Sequence, residues 1–224
     1  MTAEEMIRRH DLLAVLEPDE VHALLKHARI RHYGPGETVF RRDEPGDGIY
    51  GVLAGRVVVK VESEAGKELI LNMFGQGDFF GEIALLDGKG RTAAAVAREA
   101  SDLMFIARRD FLPFVEERPK IAIRMIALLC ERLRRTTQMV EDSTFLNVAT
   151  RLAKLLLVVA AQRGTEAPLT VNVSQAELAQ MIGVSREAVS KQLSLWRELG
   201  VIRIGRTNVV ILSPAYFEAI VAVA

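Results

Sequence analysis

One cysteine, Cys130, stands in 224 residues, which excludes an internal disulfide framework, a four-cysteine iron–sulfur site and any all-cysteine zinc site. Its neighbours read as a buried helix. Long apolar runs are missing as well: the longest, Leu155 to Ala161, falls far short of the roughly 18 residues a membrane span needs. Residues 1–20 carry charges where a signal peptide would have an apolar core. These absences predict a cytoplasmic protein with no membrane partner. Catalytic signatures are absent too, with no G-x-x-x-x-G-K-[ST], no H-E-x-x-H and no G-x-S-x-G, and Gly75 to Gly81 misses the dinucleotide fingerprint by one residue. An enzyme is not expected.

Net charge is zero, from 29 basic and 29 acidic side chains, which by itself argues against a nucleic-acid partner. The balance hides a division. Residues 1–144 hold 21 basic and 24 acidic side chains, whereas residues 145–224 hold 8 and 5, so only the C-terminal third is basic. Glycine divides differently: 12 of 16 lie between Gly34 and Gly90, the mark of a turn-rich β region followed by a helical one. Half of all residues are hydrophobic, enough for a core in each part. The expected boundary lies near residue 145.

Along the chain, Leu12, Leu13, Leu16, Val21, Leu24 and Leu25 recur at helical spacing and break at Pro18, predicting two short helices. From Tyr33 to Ile106 short β-type runs (38–40, 49–53, 56–61, 69–74, 93–97 and 103–106) alternate with glycine-containing turns, the pattern of an antiparallel barrel or roll. After Pro113 and Pro119 a long helix begins, in which Ile126, Leu129, Leu133, Thr136 and Val140 form a narrow a/d seam flanked by Arg132, Arg134 and Arg135. Such a seam suits pairing between two copies; packing of one helix on its own domain is the alternative. Thr136 and Thr137 put hydroxyls into that seam, where water or a ligand must satisfy them. Phe145, Leu146 and Asn147 end the pattern and form the hinge candidate, Asn147 being a good N-cap for a helix through Ala161.

Chemistry first appears at Gly81-Glu82-Ile83-Ala84-Leu85-Leu86, followed after a turn by Arg91-Thr92-Ala93. Gly81 allows close backbone approach, Glu82 offers acceptors to a ribose hydroxyl, and Arg91 with Thr92 offers a charged fork and a hydroxyl to a phosphate. The same residues also suit a plain surface ion pair beside a turn. The segment resembles the phosphate-binding cassette of cyclic-nucleotide-binding domains, and nearly the whole chain resembles bacterial transcription regulators of the cyclic-AMP receptor protein and fumarate–nitrate regulator (Crp/Fnr) superfamily. The resemblance implies a ligand site at Gly81, Glu82, Ile83, Ala84, Arg91, Thr92, Thr136 and Thr137, one threonine coming from a partner subunit. Cyclic AMP is the ligand it favours. Cyclic GMP stays open, because a hydroxyl after the cassette arginine goes with guanine preference in eukaryotic relatives. Haem and iron–sulfur branches of the superfamily use His or Cys ligands; here His10, His22, His27 and His32 all precede the β region and Cys130 is alone, so no metal, haem or cluster is expected.

In the basic third, Ser174 to Leu199 reads as two helices around Gly183, a helix-turn-helix. The second helix gathers Ser185, Arg186, Glu187, Ser190 and Lys191 on its N-terminal face, where Arg186 suits guanine, Glu187 suits cytosine, and Ser190 and Lys191 reach a base edge or phosphate. Residues 201–211 alternate into a hairpin with Arg206 near its tip, a wing on the DNA backbone. SREAVSKQL resembles the family's recognition helix, with Lys191 where the family has a second base-reading arginine.

The expectation is therefore an α+β chain. Residues 1–112 form a cyclic-nucleotide-binding β-roll with N-terminal helices, 113–144 a long dimerisation helix, and 145–224 a winged helix-turn-helix. Its partners would be double-stranded DNA, a second copy as a homodimer, and RNA polymerase if it activates. The competing reading is a cyclic-nucleotide-sensing module whose C-terminal domain binds another protein. A response to another ligand also stays open.

Overall fold

The computed structural model describes residues 1–161, 169–205 and 208–222. It divides into two compact units, one of Met1–Glu62 with Leu71–Arg134 and one of Ser63–Ile70 with Arg135–Ala224. Mixed helix and sheet agree with the α+β expectation.

The first unit opens with α1 (Ala3–Arg9), where Thr2 and Glu5 form a capping box, and α2 (Pro18–Leu25), where Pro18 occupies the first turn and needs no N–H partner. Eight strands follow: β1 (Ala28–Tyr33), β2 (Thr38–Phe40), β3 (Gly48–Ala54), β4 (Val57–Glu62), β5 (Glu68–Phe74), β6 (Phe79–Phe80), β7 (Ala94–Ala97) and β8 (Ser101–Ala107). A short helix α3 (Glu82–Asp87) interrupts them after β6. They make two sheets, ordered β1-β8-β3-β6 and β2-β7-β4-β5.

Strand β3 shows why the roll closes. Its period of two sends Ile49 and Leu53 into a cluster with Met6, Leu13, Leu24 and Phe111 on the helical side, and Tyr50 and Val52 into the roll interior with Phe40, Phe74, Phe80 and Phe105. The chain is only 6% aromatic, yet rings concentrate in that interior, Phe80 stacking on Tyr50 and Phe74 at 5.3 Å each. Both faces of β3 are thus buried.

Several details differ from the sequence reading. Pro113 does not begin the long helix: it lies inside α4 (Arg108–Glu116), and after Glu117 and Arg118 the helix α5 (Pro119–Phe145) starts at the second proline. Proline fits a first turn, where no N–H is required of it. Residues 28–33 are a strand, so His32 sits on β1 inside the β region rather than before it. Cys130 is exposed, because α5 buries only Ile121 and Met125 fully within this chain.

The second unit contains the end of α5, then α6 (Val148–Ala161), β9 (Leu169–Val171), α7 (Gln175–Ile182), α8 (Arg186–Glu198), β10 (Ile202–Ile204), β11 (Val209–Ile211) and α9 (Pro214–Ala222). Its core joins Leu152, Leu156, Leu178, Val189, Leu193 and Phe217, with Trp196 meeting Phe217 edge-on at 4.8 Å. Gly183 ends α7 at φ +68°, a left-handed turn that glycine reaches without the cost of a Cβ. The hairpin expected at 201–211 forms, and β9 adds a third strand in the order β10-β11-β9.

Candidate functional site

Within the first unit, Gly81 turns the chain from β6 into α3 at φ +86°, and a Cβ there would stand 2.7 Å from Arg91 Nη1. Glycine is required both by the backbone conformation and by the arginine. Glu82 opens α3 with no exposed surface and Ala84 is buried, while Ile83 points outward. Arg91 is 2% exposed. Glu82 and Arg91 are therefore both buried, and Arg91 meets Gly81, so these residues do not form a surface ion pair.

Their partners are protein groups. Arg91 donates from Nη1 to the Gly81 carbonyl at 2.7 Å and from Nη2 to Asp47 Oδ1 at 2.7 Å and the Gly48 carbonyl at 2.9 Å. Its guanidinium carbon sits 4.2 Å from the Phe40 ring centroid, a cation–π contact. The picture of an open cationic fork is corrected on this point: the Nη groups are committed to protein acceptors, and the buried Nε is the atom left without one. Glu82 is also half committed. Oε1 accepts from Arg132 Nη1 on α5, Arg132 Nη2 donates to the Phe79 carbonyl at 2.6 Å, and Glu82 Oε2 is buried with no partner. A buried carboxylate oxygen and a buried guanidinium N–H thus stand unpartnered in one cassette, which is costly unless something else supplies their hydrogen bonds.

Around Asp47 the network continues. Arg31 donates to the Tyr50 hydroxyl at 2.9 Å, lies over Phe105 at 3.5 Å, and places Nη1 4.0 Å from Asp47 Oδ2. Burial first, then the Asp47 charge, hold the Tyr50 phenol well above its ordinary pKa, so it remains a neutral hydroxyl. Thr92 is exposed beside Arg91. Thr136 and Thr137 are exposed on the part of α5 that belongs to the second unit. Ile126, Leu133 and Val140 are 60 to 67% exposed on the same helix.

Sequence reasoning missed Arg132 and Asp47. Each is separated by more than forty residues from its cassette partner, and no motif spacing marks either.

In the second unit, the Ser185 hydroxyl caps α8 by accepting from the Ala188 N–H at 3.2 Å. Arg186, Glu187 and Lys191 are exposed on its first two turns and Ser190 is half-buried. A hydrogen bond from its own backbone, then one from Ser185, holds the Glu187 carboxyl below the usual range, so it stays ionised and acceptor-only. Arg186 borders a cavity of about 380 Å³ with Ser174, Gln175 and Asn208. Arg206 lies outside the described residues. At the hinge candidate, Phe145 ends α5, Leu146 is the link, and Asn147 Oδ1 accepts from the Thr150 N–H at 2.9 Å to cap α6. Lys154 of α6 reaches back across this corner to Asp142 of α5 at 2.8 Å.

Among the described residues, no helix is long and apolar enough to cross a membrane, and no group of three His, Cys, Asp or Glu side chains could hold a metal ion.

Residues 30–118 match the cyclic nucleotide-binding domain, and residues 150–220 match the Crp-like helix-turn-helix domain. Over 93% of its length the chain is 32% identical to a CRP-like cAMP-activated global transcriptional regulator of Mycobacterium tuberculosis, covering 95% of that protein. It is 34% identical to the cyclic AMP receptor protein of Thermus thermophilus, with 92% of this chain and 94% of that one covered. Its structure resembles the c-di-GMP-responsive global regulator CLP of Xanthomonas campestris with a TM-score of 0.79 at 26% identity, covering 88% of this chain and 100% of that one.

Proposed function

The chain belongs to the Crp/Fnr superfamily of bacterial transcription regulators, a ligand-responsive group joining a cyclic-nucleotide-binding module to a DNA-binding helix-turn-helix, and from that premise we propose that it answers to cyclic AMP. One observation carries the reading: buried Glu82 and Arg91 each keep an unpartnered polar atom in the cassette. Glu82 Oε2 accepts a ribose hydroxyl, Arg91 supplies cationic attraction to a cyclic phosphate, and the first N–H groups of α3, at Glu82, Ile83 and Ala84, are left uncapped by the side-chain-free Gly81. Thr136 and Thr137 receive the base, one from each subunit of a homodimer. The exposed Ile126, Leu133 and Val140 support pairing through α5, since three apolar residues along one helix gain burial only against a second helix.

Ligand binding then biases the packing of the α5 pair, and with it the orientation of two winged helix-turn-helix domains on a near-palindromic site. The division into 1–112, 113–144 and 145–224 is the functional one proposed, with Phe145, Leu146 and Asn147 as the joint. Ser185, Arg186, Glu187, Ser190 and Lys191 read the major groove and Arg206 meets phosphate. A protein-binding role for the C-terminal part loses to this reading because its face is that of a DNA reader. RNA polymerase becomes a partner where the protein activates, and the site of action is the cytoplasm.

The exposed Thr92 hydroxyl beside Arg91 favours cyclic GMP as the second candidate. Calorimetry with cyclic AMP, cyclic GMP and cyclic di-GMP tests the assignment. Saturable binding of cyclic AMP that tightens DNA binding supports it; heat only with cyclic di-GMP overturns it.

A further inference from the structure

The neighbours of the Arg91 guanidinium are not equivalent. The Gly81 and Gly48 carbonyls are backbone and cannot leave, and the Phe40 ring is buried in the roll. Asp47 is the charged partner, and its side chain is 51% exposed. It can rotate into water once another anion meets Arg91, and Arg31 Nη1 lies 4.0 Å from its other oxygen. A buried guanidinium whose countercharge is an exposed, replaceable carboxylate is built for anion exchange: one phosphate oxygen meets the unpartnered Nε and a second takes the place of Asp47 Oδ1 on Nη2, while the two carbonyls and the ring keep Arg91 in position.

We propose that Asp47 is a built-in counter-ion of Arg91 that the phosphate of a bound cyclic nucleotide displaces, so that this carboxylate, lying outside the cassette, sets ligand affinity. The inference rests on the cyclic-nucleotide reading of the site. Asp47 acts through Arg91 and is a positioning residue. With it, Arg91 is neutralised before ligand arrives and part of the phosphate's attraction is spent on exchange. Without it, the buried cation is left with neutral acceptors and attracts a phosphate more strongly.

The test compares wild type, Asp47→Asn and Asp47→Glu by calorimetry with cyclic AMP and with uncharged adenosine. Asn keeps the shape and an oxygen acceptor for Nη2 but removes the charge. Asp47→Asn is expected to bind cyclic AMP roughly tenfold tighter than wild type, with the affinity for adenosine unchanged, and Asp47→Glu to stay near wild type. A merely structural role would weaken both ligands together. Equal or weaker cyclic AMP binding by Asp47→Asn overturns the proposal while leaving the ligand assignment standing; absence of cyclic AMP binding to wild type overturns both. Should Asp47→Asn not fold, carbon-13 NMR of the wild-type Asp47 carboxylate decides: saturating cyclic AMP must move its resonance, and an unmoved resonance overturns the exchange.

Discussion

Arg132 joins the long helix to the cassette through Glu82, donating to the buried carboxylate and to the Phe79 carbonyl with the same guanidinium. Removing one member of such a pair strands the other. Arg132→Met is therefore expected to destabilise the protein by about 3 kcal/mol in denaturant unfolding, and Arg132→Met with Glu82→Gln to recover part of the loss. A single-variant loss under about 0.5 kcal/mol would show the pair to be dispensable.

Arg91→Leu is expected to fail twice. It removes the cation from the proposed ligand site, and it leaves the Gly81 and Gly48 carbonyls and Asp47 without their donor. Thermal and chemical unfolding should report a loss of at least about 2 kcal/mol alongside lost cyclic AMP binding. Wild-type stability in that variant would mean that Arg91 does not hold the turn.

His10 predicts a pH dependence. Burial, the largest cause, pushes its pKa below the ordinary value, with Arg132 acting the same way while Asp78, Asp11 and Glu131 oppose it. Its Nδ1 accepts from the Leu12 N–H at 3.1 Å and its ring meets Phe79 edge-on at 4.9 Å. The folded protein thus prefers the neutral ring. The unfolded chain binds the proton more readily, so this contribution to stability is complete above the unfolded His value near 6.5 and is lost as pH falls below it toward the folded value. Unfolding free energies measured between pH 7.5 and 5.5 should fall with acidity, less so in His10→Gln; identical slopes would remove His10 as the cause.

Arg186 and Arg206 should separate by what they change. Arg186→Ala is expected to cost about 1–3 kcal/mol at one base pair and to relax preference there. Arg206→Ala should weaken all sequences about equally and reduce the salt slope by about one unit per lost contact in each subunit. Titrations on matched and single-base-altered half-sites at several salt concentrations distinguish them. Uniform loss on all sequences for Arg186→Ala would place the wrong face of α8 on DNA.

Local pattern made much of this legible. The Pro18 break, the alternating strands, Gly183 and the Asn147 cap are written in neighbouring residues, and each lies within a few positions of where the pattern predicts it. Strand β1 is not legible because Arg29, Arg31 and His32 give it a polar edge with little apolar alternation, although β8 pairs with it along its whole length. The roles of Arg132 and Asp47 are illegible for a different reason. Their roles come from long-range approach in the folded chain, and one-sequence reading has no rule that brings residue 47 to residue 91.

The corner between α5 and α6 carries a further consequence. Asp142 and Lys154 latch it by charge, both partly open to solvent. A joint fastened this way has a stiffness that belongs partly to the surrounding electrolyte: dilute buffer tightens it, and added ions slacken it. On the proposed function, salt would then act twice, at the DNA phosphates and at this corner within the second unit. On that reading, compliance of the corner and adhesion to DNA are separate mechanical quantities governed by one variable.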